Sequence, residues 1–304
     1  MMGKKANAII GFGGVALAAA LADDAQILQE RITSNRNIAY IALDFEREDN
    51  LGVTNEDYQL LDKIFDTAKA RITVKQTYSR DDAHQILNSI ADIIDEFGFE
   101  YVENSDTLNY TLKTKKIDCL EYTLLYLAIA EHLGIPLKGV NAPHHAFVRF
   151  VLSNNDYLNW ECTSGEQSKE QSNESYIEWL KIHPDAIRNG AALKTLDRQQ
   201  TIALILKGNG SVKSKKGDLE GALEDFEQAI KLNPNHTNAY NNRGIAKFKK
   251  GDLEGALEDY NTAIKLNPNY ADAYYNRGIA YERLGRLKES KRDFKTVKRL
   301  EGAK

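Results

Sequence analysis

GDLEGALEDF runs from Gly217 to Phe226, and GDLEGALEDY runs from Gly251 to Tyr260. A third version, GRLKESKRDF, begins at Gly285, so successive copies start 34 residues apart. LNPN at Leu232 and Leu266, and NRGIA at Asn242 and Asn276, keep the same period. In each copy a glycine opens the stretch. A small residue (Ala222, Ala256, Ser290) recurs five residues on, and an aromatic (Phe226, Tyr260, Phe294) follows it. Pro234 and Pro268 stop the helix before them, because proline lacks the N–H that would continue it. Such a unit is a pair of amphipathic helices that cannot bury its apolar face alone, so neighbours must stack. The copies occupy about 203–304. The first is degenerate at SVKSKKGD, and the last ends in the polar KRDFKTVKRLEGAK, suited to a solvent-facing end. An array this short is expected to lean on the domain before it.

The glycine, alanine, aromatic and proline spacing resembles the tetratricopeptide repeat. That resemblance implies an all-α array whose groove takes a protein or peptide partner, with a plain spacer as the alternative. The repeats themselves supply no chemistry.

The length of 304 residues suits about two domains. With 40 basic and 44 acidic residues the net charge is -4, which leaves no clustered basic footprint for nucleic acid. Lys4 and Lys5 precede an apolar run from Ala8 to Ala22 that closes on Ala20-Leu21-Ala22. This reads as a secretory signal peptide over 1–22, shorter than the ~20 residues of a membrane span. The expectation is an exported chain, periplasmic or secreted, with an uncleaved membrane anchor as the rival. GFGG within this run lacks the preceding strand and the following acid of a dinucleotide-binding loop.

Between these ends the pattern is first helical. EDYQLLDKIFDTAKARI and DDAHQILNSIADIIDEFGF repeat apolar residues at i, i+3, i+4 and i+7, and His84 reads as a boundary residue. DCLEYTLLYLAIAEHLGIP, from Asp118 to Pro136, is a second decisive stretch. Asp118 is a good N-cap with Glu121 three residues on, and Gly134 and Pro136 stop the helix near His132. Cys119 then sits in the first turn, where free N–H groups and the helix dipole favour a thiolate. The carboxylates of Asp118 and Glu121 oppose that effect. His132, about 20 Å away along the helix at ~1.5 Å per residue, cannot serve Cys119 through it and suits the C-terminal dipole.

GVNAPHHAFVRFVLS and DYLNWECTSG alternate as strands joined by a turn at 153–156. His144 and His145 must point to opposite faces. Asn159, Glu161 and Thr163 share one face of the second strand, and Leu158, Trp160 and Cys162 share the other. That partition makes Cys162 a small core residue. The two cysteines also allow a disulfide in an oxidising compartment. The order Cys119, His145, Glu161 is that of a nucleophile, its base and an orienting acid. A metal site from Cys119, either histidine and Glu161 lacks any tight ligand pair. His183-Pro184 reads as a helix break, His236 as a repeat loop, and 163–175 as a polar surface loop.

The cysteine helix, GVNAPHHAFVRF and WECTSG together resemble the transglutaminase-like superfamily, in particular its SirB-like branch, and so does the helical lead-in IALDFEREDNLGVTNEDYQLLDKI. The resemblance implies an α+β, papain-type domain of helices and a small antiparallel sheet over 23–202, ahead of the repeats. It implies Cys119 as nucleophile, His145 as general base and acid, and Glu161 as orienting acid, where the superfamily usually has aspartate. Asn109 or Tyr110 are candidates to support an oxyanion beside the Cys119 N–H. The implied reaction is acyl transfer from an amide to water or an amine, without cofactor or metal. The alternative is a non-catalytic binding scaffold.

Overall fold

The computed structural model describes residues 26–102, 107–153, 156–163 and 169–302. The expected signal peptide over 1–22 lies outside these residues, as does part of the 163–175 loop. The chain divides into two compact units.

The first unit comprises Met1–Leu137, Phe150–Tyr157 and Cys162–Ser168. Residues 26–33 are helical (α1), followed by α2 (Ile38–Glu48), α3 (Asn55–Arg71) and α4 (Arg80–Glu96). Each start is fixed locally. Asn37 caps α2, while Thr54 with Asp57 and Ser79 with Asp82 form capping boxes for α3 and α4. Strands β1 (Glu100–Tyr101) and β2 (Lys116–Ile117) pair in parallel on either side of α5 (Leu108–Thr114). Helix α6 (Cys119–Leu133) is apolar all round, with every residue from Glu121 to Ala130 buried, so it is the unit's central helix. Asn37 ties α2 to it through a 2.7 Å bond from Nδ2 to the Ala128 carbonyl. Gly134, in the left-handed region at φ 72°, ends α6 ahead of Pro136 as the sequence suggests. His132 does not merely sit by the last carbonyls: its ring stacks on Phe65 at 4.9 Å.

The second unit comprises Lys138–Arg149, Leu158–Glu161 and Lys169–Lys304. Strands β3 (Leu137–Ala142), β4 (His145–Val151), β5 (Tyr157–Glu161) and β6 (Lys169–Gln171) form a sheet in that order. Short connections force antiparallel neighbours, and β5 pairs with β6 so that Glu161 faces Lys169. After α7 (Asn173–Trp179) and α8 (Pro184–Arg188) come three helix pairs: α9 (Arg198–Lys216) with α10 (Leu219–Leu232), α11 (Thr237–Lys250) with α12 (Leu253–Leu266), and α13 (Ala271–Arg283) with α14 (Leu287–Gly302). The repeat pattern has a steric origin. A methyl group added at Gly210, Gly244 or Gly278 would lie 2.8, 2.6 or 2.9 Å from the ring of Phe226, Tyr260 or Phe294. The aromatic therefore packs directly on the glycine backbone of its partner helix. Arg243–Asp259 and Arg277–Asp293 bridge the second and third pairs at 2.6 and 2.7 Å. The first copy carries Asn209 at the arginine position, and Lys213 reaches Asp225 at 2.8 Å instead. Within this unit the array leans on the sheet, with Leu266 packed against a cluster containing Phe147 and Tyr176. Among the described residues no helix is long and apolar enough to cross a membrane.

Candidate active site

His145 opens β4 and Glu161 closes β5, two antiparallel strands whose alternation puts both side chains on one face. His145 Nε2 and Glu161 Oε2 are 2.7 Å apart, and both side chains are only 8% exposed. The Tyr176 hydroxyl donates to the same carboxylate oxygen at 3.2 Å. Tyr176 stacks flat on Phe147 at 3.9 Å, which fixes the hydroxyl. Trp179, at the end of α7, meets the His145 ring edge-on at 5.2 Å. A buried carboxylate holding one imidazole nitrogen fixes the tautomer and stabilises the imidazolium.

The same face carries a second polar group. Arg149 Nε donates to Asn159 Oδ1 at 2.7 Å, Nη1 to Thr195 Oγ1 at 2.7 Å, and Nη2 to Asn173 Oδ1 at 3.1 Å. Asn159 Nδ2 also reaches Asn173 Oδ1 at 2.9 Å. This network pins the start of α7, the helix that brings Tyr176 and Trp179 to His145.

Cys119, in the first unit, is the first residue of α6, partly exposed and not in a disulfide. The Asp118 carboxylate accepts from Leu120 N at 2.8 Å and Glu121 N at 3.4 Å. The cap thus consumes two first-turn donors and leaves the Cys119 N–H outside it. Cys162 is likewise not in a disulfide, is 1% exposed, and has its sulfur 3.6 Å from Thr123 Oγ1. The disulfide reading is corrected: the Cys162 sulfur lies among buried side chains rather than on Cys119. Asn109 is buried, with its N–H on Glu46 Oε2 at 2.8 Å and its Nδ2 on the Leu51 carbonyl at 2.8 Å. Tyr110 is 37% exposed. Glu46, 1% exposed, has its carboxyl pushed up to about 7 by burial, against the N–H groups of Asn109 and Leu108 that favour the anion. Among the described residues no group of three or more His, Cys, Asp or Glu side chains is placed to hold a metal ion.

Residues 58–207 match the family model of the transglutaminase-like superfamily. Residues 210–251 and 246–285 match a TPR repeat model, and 271–303 a tetratricopeptide repeat model. The chain joins a transglutaminase-like domain to tetratricopeptide repeats. No curated protein matches it. Solved structures similar to it include MamA, at 25% identity and TM-score 0.33 over 35% of this chain and 66% of that one. The second TPR of Spaghetti (RPAP3), solved with an HSP90 peptide, is 33% identical over 34% of this chain and 95% of that one, at TM-score 0.33.

Within the transglutaminase-like domain the sequence names His145 and Glu161, and the two are brought into contact. It misses Tyr176, Trp179 and the Arg149 network. Strand alternation carried one signal for them: Arg149 and Asn159 fall on the same faces as His145 and Glu161, two or four residues away.

Proposed function

We propose that this protein is an exported cysteine hydrolase or acyltransferase. The Cys119 thiolate attacks an amide carbonyl, and His145, held by Glu161, protonates the departing amine. The resulting thioester on Cys119 is resolved by water or by an amine, with His145 removing the acceptor's proton. The observation that carries this reading is the buried His145–Glu161 bond of 2.7 Å, backed by Tyr176. Cys119 supports it by standing at a helix N-terminus, where the dipole favours an anion. The free N–H at that position suits an oxyanion. Export is supported by the basic and apolar residues of 1–22. The tetratricopeptide repeats recruit the protein or peptide partner.

Acylation by p-nitrophenyl acetate tests the chemistry. Mass spectrometry is expected to find an acetyl group on the Cys119 peptide that forms and decays in the parent protein. His145→Ala and Glu161→Gln should each suppress it. Absence of the adduct, or the same adduct in all three proteins, would argue instead for a non-catalytic scaffold.

A further inference from the structure

The three inner helices of the repeats, α9, α11 and α13, carry equivalent residues 34 positions apart. At the packing positions the copies agree, as Gly210, Gly244 and Gly278 show. Three residues before each glycine they diverge completely, as Lys207, Asn241 and Tyr275. Six residues before it they read Leu204, Asn238 and Asp272. Most of these divergent positions line one cleft of about 390 Å³, together with Asn242, Asn276 and His144.

The cleft floor is a chain of amides. Asn276 donates to Asn241 Oδ1 at 3.0 Å, Asn241 to Asn242 Oδ1 at 3.3 Å, and Asn242 to Ser211 Oγ at 3.1 Å. Each carboxamide keeps donor or acceptor capacity beyond that chain, which suits the alternating N–H and C=O groups of an extended backbone. Lys207 and Asp272, at its two ends, differ from the buried acids of the array. Asp225, Asp259 and Asp293 are all taken by a lysine or arginine of the same helix pair. Lys207 forms no ion pair among the described residues. Among the described residues Asp272 pairs only with the His144 imidazole, 3.9 Å away.

His144 itself is at φ 55° in the turn after Pro143, a left-handed position that glycine or asparagine would hold with less strain. Its ring lies 5.0 Å from that of Tyr270, so a residue unfavourable to the turn forms the wall of the cleft.

We propose that this cleft binds an extended peptide segment carrying one acidic and one basic side chain, the acid against Lys207 and the base against Asp272. Lys207 and Asp272 sit on the first and third inner helices. Neighbouring helices pack roughly 8–10 Å apart, and a strand rises ~3.3 Å per residue, so the two charges stand about five residues apart. The basic end then lies beside His144, one residue along the chain from His145. This specificity rests on the partner-recruiting part of the function proposed above and not on its thiol chemistry.

Fluorescence anisotropy on the full chain carrying Cys119→Ala tests it without any turnover. The probe is a fluorescein-labelled alanine–serine peptide with one glutamate and one lysine about five residues apart, made in both orders. The control has glutamine at both positions. One order is expected to bind roughly tenfold more tightly than the control, the sum of two exposed ion pairs. Lys207→Glu and Asp272→Lys, both on the surface of folded helices, should each remove most of that gain. The proposal is overturned if neither order exceeds the control, or if the gain survives both substitutions. Tight binding alongside an unreactive Cys119 would overturn the enzyme reading alone and leave this one standing.

Discussion

The sheet face and the repeat array are stabilised in opposite ways. In the array each contact has a copy: glycine on aromatic three times over, and an ion pair between the helices of every pair. On the sheet face nothing is repeated. His145, Glu161 and Tyr176 come from β4, β5 and α7, and Arg149 reaches Asn159, Asn173 and Thr195. Contacts present in several copies build a scaffold that spreads load among neighbours. A unique, buried, charged pair gives little stability in itself, which agrees with the proton-transfer role proposed for His145.

The difference can be tested by breaking each kind of contact. The largest effect is expected on the sheet face: His145→Ala should slow acylation of Cys119 by about 10²–10⁴-fold, the range for a general base, in protein that still folds although the unpaired, buried Glu161 lowers its melting temperature. A loss of folding equal to the loss of rate would make the face merely structural.

The array has a weak point of its own. His236, fully buried at the end of the first repeat, stands where the next copy has Tyr270, and neither ring nitrogen has a hydrogen-bond partner among the described residues. Burial holds its pKa down at about 3, with the Lys207 charge as a lesser cause. Its unfolded value is near 6.5, so the unfolded chain binds the extra proton first. The contribution of His236 is therefore complete above about pH 6.5 and falls by roughly 1.4 kcal/mol per unit as pH drops from there towards 3. Urea midpoints measured from pH 7 to pH 5 should fall, and His236→Tyr should flatten that slope. An unchanged slope would contradict the buried, neutral state of this residue.

Next in size is Gly244→Ala, whose methyl group would meet the Tyr260 ring at 2.6 Å. Overpacking of this kind costs about 1–3 kcal/mol, read as a lower denaturation midpoint with acylation of Cys119 preserved. The smallest effect is expected from Tyr176→Phe. It removes one hydrogen bond to Glu161, worth about 1 kcal/mol, and should slow acylation several-fold while leaving the midpoint nearly in place.

The same contrast explains what could be read from the sequence. The 34-residue period announces itself because the glycine–aromatic contact is written three times. The cysteine helix is legible because Asp118 and Gly134 mark its ends locally. Strand alternation separates His144 from His145 and hides Cys162, while the family resemblance is what pairs His145 with Glu161. Tyr176 and Asn173 are invisible by comparison, since their partners are set by how α7 returns onto the sheet. His144 reads as the spare member of a pair, because only the fold shows the turn that sends its ring to Tyr270 and Asp272.

The central claim is that Cys119 is a poised nucleophile and Cys162 is a packing residue. Iodoacetamide alkylation of the reduced protein from pH 4 to 10, quantified by mass spectrometry at each cysteine, tests it most directly. The account predicts rapid labelling of Cys119 well below the ~8.5 of an ordinary thiol, slowed by His145→Ala, with Cys162 unlabelled until the protein unfolds. Labelling of Cys119 that follows an ordinary thiol profile and ignores His145 would contradict it.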